Sequence, residues 1–150
     1  MEFYKNCFYS NITSSSKEEL LSIMSQQLVK NKLVSENYYD KIMEREEKYP
    51  TGIQAEVEFA MPHTDPEYVI KDSISVAFLN KPVMFHNMSE PELIVPVKIV
   101  FLLAFSKGEK HLEALQKIVQ LATDAALIKK LLDYDEEKQY EFLNEYFKNN

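Results

Sequence analysis

The chain has 150 residues, and its 17 basic and 24 acidic residues give a formal net charge of −7. This length suits one domain with a substantial core, and the acidic balance argues against a nucleic-acid-binding protein, which needs a basic face to displace counterions. The longest apolar run, residues 99–105, is far too short to cross a bilayer, and no secretory signal opens the chain. The single cysteine, Cys7, cannot form an internal disulfide. We therefore expect a protein of the reducing cytoplasm in which Cys7 is a small packing residue.

The N-terminal part of the chain predicts a short edge strand within residues 1–9 and then two helices. Ser16 and Glu19 form a capping box that starts the first helix. Its apolar face is predicted to contain Leu20, Leu21, Ile23, Met24 and Leu28. Ser35 is predicted to cap the second helix, which must end by Tyr49 because a proline follows.

Two residues near the end of the second helix are interpreted separately. Arg45 lies in a run of charged residues, 44–48, whose ordinary explanation is a solvated helix face with local ion pairs. Gly52 is one of only two glycines in the chain. After Thr51 we therefore expect a turn in which Gly52 provides either a positive φ or a close backbone approach.

Four further apolar segments predict the rest of a sheet. They are residues 57–61, 74–79, 83–85 and 95–105, and the last is the strongest and should be central. Residues 80–82 predict a turn, and residues 86–92 predict a loop that contains His86. The first of these strands must stop at Pro62, which has no N–H to donate, so His63 is predicted to stand on a rigid corner at a strand end.

The C-terminal third predicts three helices. A break at residues 106–108 ends the last strand, and a helix with His111 in its first turn follows. Its core stripe is predicted to be Leu112, Leu115, Ile118, Val119 and Ala122. Asp124 and Asp135 cap the next two helices. This order of helices, strands and helices, without a repeat or a linker, predicts a single α/β domain over residues 1–150, with helices packed on the sheet.

The three histidines are the candidates for chemistry. No pair of His63, His86 and His111 has the close spacing of a zinc-binding helix, which argues against a metal site but leaves open three ligands that converge in space. A Ser-His-Asp hydrolase lacks its Gly-x-Ser-x-Gly motif. A lone histidine near a strand end is commonly a structural residue, and the residues alone leave that alternative open for His63.

Several motifs of this chain occur together in one known family. They are Ala60-Met61-Pro62-His63 after a strand, Arg45 before Thr51-Gly52, a long apolar strand at residues 97–105, and Glu109-Lys110-His111-Leu112 at a helix start. In these motifs, and over roughly residues 16–148, the chain resembles the enzyme IIA components of the sugar phosphotransferase system, fructose–mannitol class. Residues 62–69 and 81–83 resemble the galactitol-type branch. Between Gly52 and Phe59 the chain lacks the second glycine that fructose-type members often show.

The resemblance implies a single EIIA type-2 domain, built on a mixed sheet of about five strands, that carries phosphoryl groups in the cytoplasm during sugar uptake. His63 would accept the group from phospho-HPr and pass it to a cysteine of the cognate enzyme IIB, and through IIB to IIC, without a cofactor or metal. Arg45 would stabilise the phosphoryl group, and His111 would donate a hydrogen bond to it or orient His63. Thr64 would offer a further hydrogen bond. The chemistry suits a neutral imidazole, which is a nucleophile at cytoplasmic pH.

The sequence alone leaves alternatives for the protein and for its residues. A similar domain would serve as a regulatory phosphohistidine module, but the sequence shows no DNA-binding or regulatory segment, so we expect the transport relay. The three histidines would otherwise form a metal-dependent small-molecule binder or hydrolase. In the alternative interpretation of the residues, Arg45 belongs to a solvated helix face, and His111 is half-packed at the edge of the apolar stripe of its helix. His86 is interpreted as a loop residue.

Overall fold

The computed structural model describes residues 1–106 and 108–148, so Lys107 of the predicted break and the last two residues of the predicted domain lie outside the described residues. The strands are β1 (Phe8–Ile12), β2 (Gly52–Ile53), β3 (Phe59–Ala60), β4 (Ser73–His86) and β5 (Ile94–Ala104). The helices are α1 (Lys17–Lys30), α2 (Tyr38–Lys48), α3 (Gly108–Thr123), α4 (Ala125–Asp133) and α5 (Glu136–Lys148). They form the predicted α/β domain, a five-stranded mixed sheet flanked by helices.

The strand order of the sheet is β1-β4-β5-β3-β2, so β5 is central, as its apolar sequence predicts. β4 and β5 pair antiparallel, whereas β1 pairs parallel with β4 and β3 pairs parallel with β5. Because β3 and β5 run in the same direction, the segments that follow them leave the sheet at the same edge. This topology brings the loop after β3 close to the first turn of α3.

Both faces of the central strand are covered, which explains its continuous apolar run. Ile99, Phe101 and Leu103 of β5 pack in one cluster with residues of α3, α4 and α5. The alternate residues, Val100 and Leu102, pack in a second cluster with residues of α1 and α2. The helices therefore lie in two layers, one on each side of the sheet.

Most of the helix signals found in the sequence are confirmed. The Ser16 hydroxyl accepts a hydrogen bond from Glu19 N at 3.1 Å, and Asp124 accepts one from Leu127 N at 3.1 Å. The predicted cap at Ser35 is wrong, because its hydroxyl instead donates to Asn37 Oδ1 at 2.6 Å and the helix begins at Tyr38. Asp135 caps α5 through Lys138 N at 2.9 Å, and α2 ends at Lys48 as predicted.

Two predicted core positions are exposed. Ile23 of α1 is 38% exposed and Leu112 of α3 is 58% exposed. In α3 the buried stripe contains Ala114 and Leu121, together with the predicted Ile118 and Ala122. Cys7 is fully buried, and burial raises its pKa to about 11, as fits a packing residue.

The strand boundaries differ from the sequence prediction in several places. The turn expected at residues 80–82 is wrong: β4 runs through them, and its register against β5 shifts between Phe78 and Val83. An irregularity of this kind accommodates Pro82, which has no N–H to donate. The N-terminal strand lies at the sheet edge as predicted, but at Phe8–Ile12, mostly beyond the predicted residues 1–9, and only Phe59–Ala60 of the strand expected at residues 57–61 form β3.

Gly52 meets one of the two expectations for it. Neither glycine has a positive φ, and Gly52 lies in β2 and not in a turn. A Cβ added at Gly52 would lie 2.6 Å from the carbonyl oxygen of His86. The close approach of the two backbones therefore explains the glycine.

The described residues contain no helix that is both long and apolar enough to cross a membrane.

Candidate active site

The site lies at the sheet edge where β3 and β5 end. Leu103 N donates to Pro62 O at 3.0 Å, which continues the β3–β5 pairing up to the residue before His63. His111 stands in the first turn of α3. The two imidazole rings lie with their centroids 4.7 Å apart and their planes at 67°. Two histidines separated widely in sequence are thus neighbours, as a joint role in one site requires.

The His63 ring is held by one of its nitrogens. Nδ1 lies 2.8 Å from the carbonyl oxygen of Met61. Since a carbonyl only accepts, Nδ1 carries the hydrogen in this contact, and the neutral ring then has its lone pair on Nε2. Nε2 is therefore the ring nitrogen of His63 whose lone pair is available to bind a ligand or a proton.

The surroundings of His63 keep it neutral. Burial lowers its pKa, and the nearby positive charge of Arg45 lowers it further. The hydrogen bond to Met61 and the negative charge of Asp65 act in the opposite direction, but the net shift is downward. The imidazole is therefore uncharged, and able to act as a nucleophile, at pH values near 7.

His111 shares the same electrostatic environment. Burial lowers its pKa, and the neighbouring His63 and Arg45 lower it further. Its ring also packs edge-on against Phe105, with the centroids 5.8 Å apart. Its position in the first turn of α3 lies at the positive end of the helix dipole, where an anion is stabilised.

Arg45 comes from the last turn of α2 and reaches the same region. Its Nη1 lies 3.2 Å from Asp65 Oδ1, and its guanidinium lies 5.0 Å from the centre of the Tyr49 ring. Its Nε is buried and has no hydrogen-bond partner among the described residues. A buried N–H without an acceptor is unfavourable, so this guanidinium is not simply a solvated surface cation.

The charged run 44–48 also contains a buried acid. Glu46 is 2% exposed, and its two carboxylate oxygens accept hydrogen bonds from Thr51 N and Thr51 Oγ1, both at 2.8 Å. The solvated-face interpretation of the run is therefore wrong for Glu46. Periodicity gave a signal for it, because Glu46 follows the buried Ile42 by four residues, on the same side of the helix.

Thr64 and Asp65 border a surface cleft next to Arg45. The cleft measures about 670 Å³, and its lining also includes Tyr68 and residues of α2. Thr64 is 8% exposed. Asp65 was not among the residues singled out in the sequence, and its contact with Arg45 bridges segments 20 residues apart. Its position two residues after His63 was the available signal.

His86 does not join the other two histidines, and its interpretation as a loop residue is wrong, because it is the last residue of β4. Its Nδ1 lies 2.8 Å from Pro91 O, and it pairs with Ile94 at the start of β5, whereas the site lies at the end of that strand. The length of β5 separates the two places by roughly 30 Å. Among residues 1–106 and 108–148, no group of three or more His, Cys, Asp or Glu is placed to hold a metal ion. The three histidines therefore do not form a common ligand set.

Sequence comparison gives a family match over almost the whole chain. Residues 2–146 match the model of the phosphoenolpyruvate-dependent sugar phosphotransferase system EIIA 2 family. The mannitol-specific phosphotransferase enzyme IIA component of Bacillus subtilis (strain 168) is 30% identical over 131 residues, which are 85% of each chain. The ascorbate-specific PTS system EIIA component of Mycoplasma pneumoniae is 32% identical over 124 residues, which are 81% of this chain and 74% of that one.

Solved structures share the fold. A putative PTS IIA (PtxA) from Streptococcus mutans superposes with a TM-score of 0.76 at 23% identity, over 97% of this chain and 91% of that one. In the complex of enzyme IIA and phosphorylated enzyme IIB for mannitol from Escherichia coli, the matching chain gives a TM-score of 0.70 at 22% identity, over 93% and 97%. At these identities the likeness is one of fold.

Proposed function

The chain belongs to the phosphoenolpyruvate-dependent sugar phosphotransferase system EIIA 2 family, and we propose that it is a cytoplasmic phosphoryl carrier that takes the group from phospho-HPr onto His63 and gives it to a cysteine of a cognate enzyme IIB. The observation that carries this proposal is the pair of neutral imidazoles 4.7 Å apart at the end of the sheet. One of them has its Nδ1 held by Met61 O, so that its Nε2 is available to attack phosphorus.

In the acceptance step, the lone pair of His63 Nε2 attacks the phosphorus of phospho-HPr, and the phosphorus–nitrogen bond of the donor breaks. The hydrogen on Nδ1 stays in its bond to Met61 O and supports the positive charge that the ring acquires. In the second step, a thiolate of IIB attacks the same phosphorus and the bonding electrons return to Nε2. Such transfers need mainly positioning and charge compensation, which protein groups supply here.

Arg45 provides the charge compensation. Its guanidinium is permanently positive and its planar fork matches two phosphoryl oxygens. Its buried Nε, which has no acceptor among the described residues, would find one in a phosphoryl oxygen. The charge of Arg45 already acts on both imidazoles, since it lowers the pKa of His63 and of His111. These observations support a functional Arg45 over a solvated one.

His111 and Thr64 complete the proposed site. The neutral His111 ring donates a hydrogen bond to a phosphoryl oxygen, and the start of α3 adds the favourable end of a helix dipole. Its contact with the His63 ring also fixes the orientation of that ring. Thr64, directly after the nucleophile and nearly buried, offers its hydroxyl or its amide to the phosphoryl group.

The test is to incubate the protein with phosphoenolpyruvate, enzyme I and HPr and to map the acid-labile phosphate. The label should reside on His63, and His63→Ala should abolish it without changing the melting temperature by more than a few degrees. His86→Ala, at the far end of β4, is the matched control and should label as the wild type does. A labelled His63→Ala protein would refute the proposal.

Two further variants test the supporting residues. His111→Ala should still accept phosphate in part but pass it to IIB more slowly, and wild-type rates in both directions would make it a structural residue. Arg45→Gln should slow transfer by about 10²-fold or more, as the loss of an electrostatic stabiliser does. An effect of Arg45→Gln on melting alone would return Arg45 to the surface interpretation.

The sugar is set by the partner, and the galactitol-type branch remains a prediction from residues 62–69 and 81–83. The relatives named above are described as specific for mannitol and for ascorbate. Transfer from labelled protein to galactitol-, mannitol- and ascorbate-type IIB proteins, measured side by side, identifies the branch. Labelling of His63 without transfer to any IIB would favour the regulatory module instead.

A further inference from the structure

Arg45, the proposed stabiliser of the transferred phosphoryl group, already forms an ion pair with Asp65. Asp65 Oδ1 lies 3.2 Å from Arg45 Nη1, and the side chains are 58% and 37% exposed. Asp65 follows the nucleophile by two residues, and its charge is near enough to raise the pKa of His63 against the effect of burial. The Asp65 carboxylate is thus bound to the same guanidinium that a phosphoryl group on His63 would bind.

Arg45 presents its donors unequally. Nη1 is engaged by Asp65, while the buried Nε has no partner among the described residues. A two-point contact with phosphoryl oxygens uses two donors on one edge of the guanidinium. Through Nη1, the phosphoryl group must displace the Asp65 carboxylate or share the nitrogen with it; through Nε, it leaves Asp65 in place but shares the charge of the guanidinium with it, and the two anions repel each other in either case.

We propose that Asp65 is a positioning residue that competes with the phosphoryl group for Arg45 and thereby keeps phospho-His63 poised for onward transfer. This inference rests on the proposed phosphoryl-carrier function and adds a regulation of the same site. In the unphosphorylated protein, Asp65 holds the guanidinium. After His63 is phosphorylated, the carboxylate limits how firmly Arg45 can bind the group, so the phosphohistidine is less stable than Arg45 alone would make it.

The expected size follows from the exposure of the pair. Exposed ion pairs of this kind change an equilibrium by about two- to five-fold. Removing the Asp65 charge should therefore shift the phosphoryl equilibrium with HPr toward this protein by about two- to five-fold, and slow the loss of phosphate from His63 by a similar factor. The difference should shrink at high salt, because screening weakens both the pair and the repulsion.

The experiment compares Asp65→Asn with the wild type after phosphorylation by phosphoramidate, a small phosphoryl donor that needs no HPr and releases ammonia. The lifetime of phospho-His63 is followed by phosphorus NMR, and the equilibrium with HPr is measured separately. Glu67→Gln is the matched control. Glu67 is an exposed acid of the same loop and forms none of the ion pairs found in the described part of the chain, so its variant should behave as the wild type does.

The competition is isolated by repeating Asp65→Asn in an Arg45→Gln background. There the stabilisation of phospho-His63 should fall to less than about half of its size in the wild-type background, because the contested cation is gone. An unchanged effect in that background would overturn the competition. A labelled wild type whose Asp65→Asn variant has the same lifetime and equilibrium would overturn this inference alone. A wild type that takes no phosphate on His63 would overturn the proposed function and this inference with it.

Discussion

The buried carboxylate of Glu46 provides a sharp test of how the end of α2 is held. Its two oxygens accept from Thr51 N and Thr51 Oγ1, each at 2.8 Å, and so join the last turn of the helix that carries Arg45 to the start of β2. Glu46→Ala would leave both Thr51 donors without a partner in a region where Glu46 is 2% exposed and Thr51 is 2% exposed.

The magnitude follows from these contacts. Each buried donor left unsatisfied costs about 1–3 kcal/mol, and the carboxylate's own burial, which raises its pKa, offsets part of that. A net loss of about 3 kcal/mol is expected. For a chain of this size it would lower the melting temperature by about 6–12 °C.

Glu46→Gln and Glu47→Ala are the matched controls. The amide that Glu46→Gln introduces can accept from Thr51 N through its oxygen and donate to Thr51 Oγ1 through its nitrogen, so this variant should stay within about 1 kcal/mol of the wild type. Glu47 is exposed, and its removal should change stability by less than about 0.5 kcal/mol. Urea unfolding at neutral pH gives all three values. A Glu46→Ala protein within about 1 kcal/mol of the wild type would refute the account.

Two further predictions concern glycine and the histidines. Gly52→Ala should destabilise the protein by about 1–3 kcal/mol, because its Cβ would lie 2.6 Å from His86 O. Gly108→Ala is the control: its Cβ would have nothing within 4 Å, so it should be neutral or stabilise the protein by up to about 1 kcal/mol. Equal effects of the two substitutions in urea unfolding would contradict the contact at Gly52. Burial lowers the pKa of His63 and His111, so the unfolded chain binds more protons below about 6.5. Stability should be full above that pH and fall below it; an NMR titration placing the pKa of His63 at or above about 6.5 would contradict the buried environment.

Features that depend on neighbouring residues in the chain were predictable. The caps at Ser16 and Asp124 are local hydrogen bonds, and the end of the strand before His63 follows from the proline that precedes it. The apolar run of β5 identified the central strand, because burial on both faces removes the alternation of polar residues. The same local signals misplaced the start of α2, where the Ser35 hydroxyl donates to the Asn37 side chain and does not cap the helix.

The tertiary structure decided what depends on pairing between distant segments. Residues 80–82 look like a turn, but β4 continues through them, between the two stretches that pair with β5 in different registers. In the sequence, Glu46 is one of several charged residues on a helix face that is predicted to be solvated. In the structure it is buried, and Thr51 donates a hydrogen bond to it. The pairing of Asp65 with Arg45 likewise appears only when the loop after β3 lies against α2.

For the proposed site, the sequence by itself supplied the residues, and the fold supplied their distances. The corner at Pro62-His63 and the helix start near His111 can both be recognised in the sequence. That the two rings come within 4.7 Å follows from the parallel pairing of β3 with β5, which brings both exits to one edge of the sheet. Local sequence determines helix caps and strand ends. Which distant residues become neighbours is decided only when the strands pair in their final register.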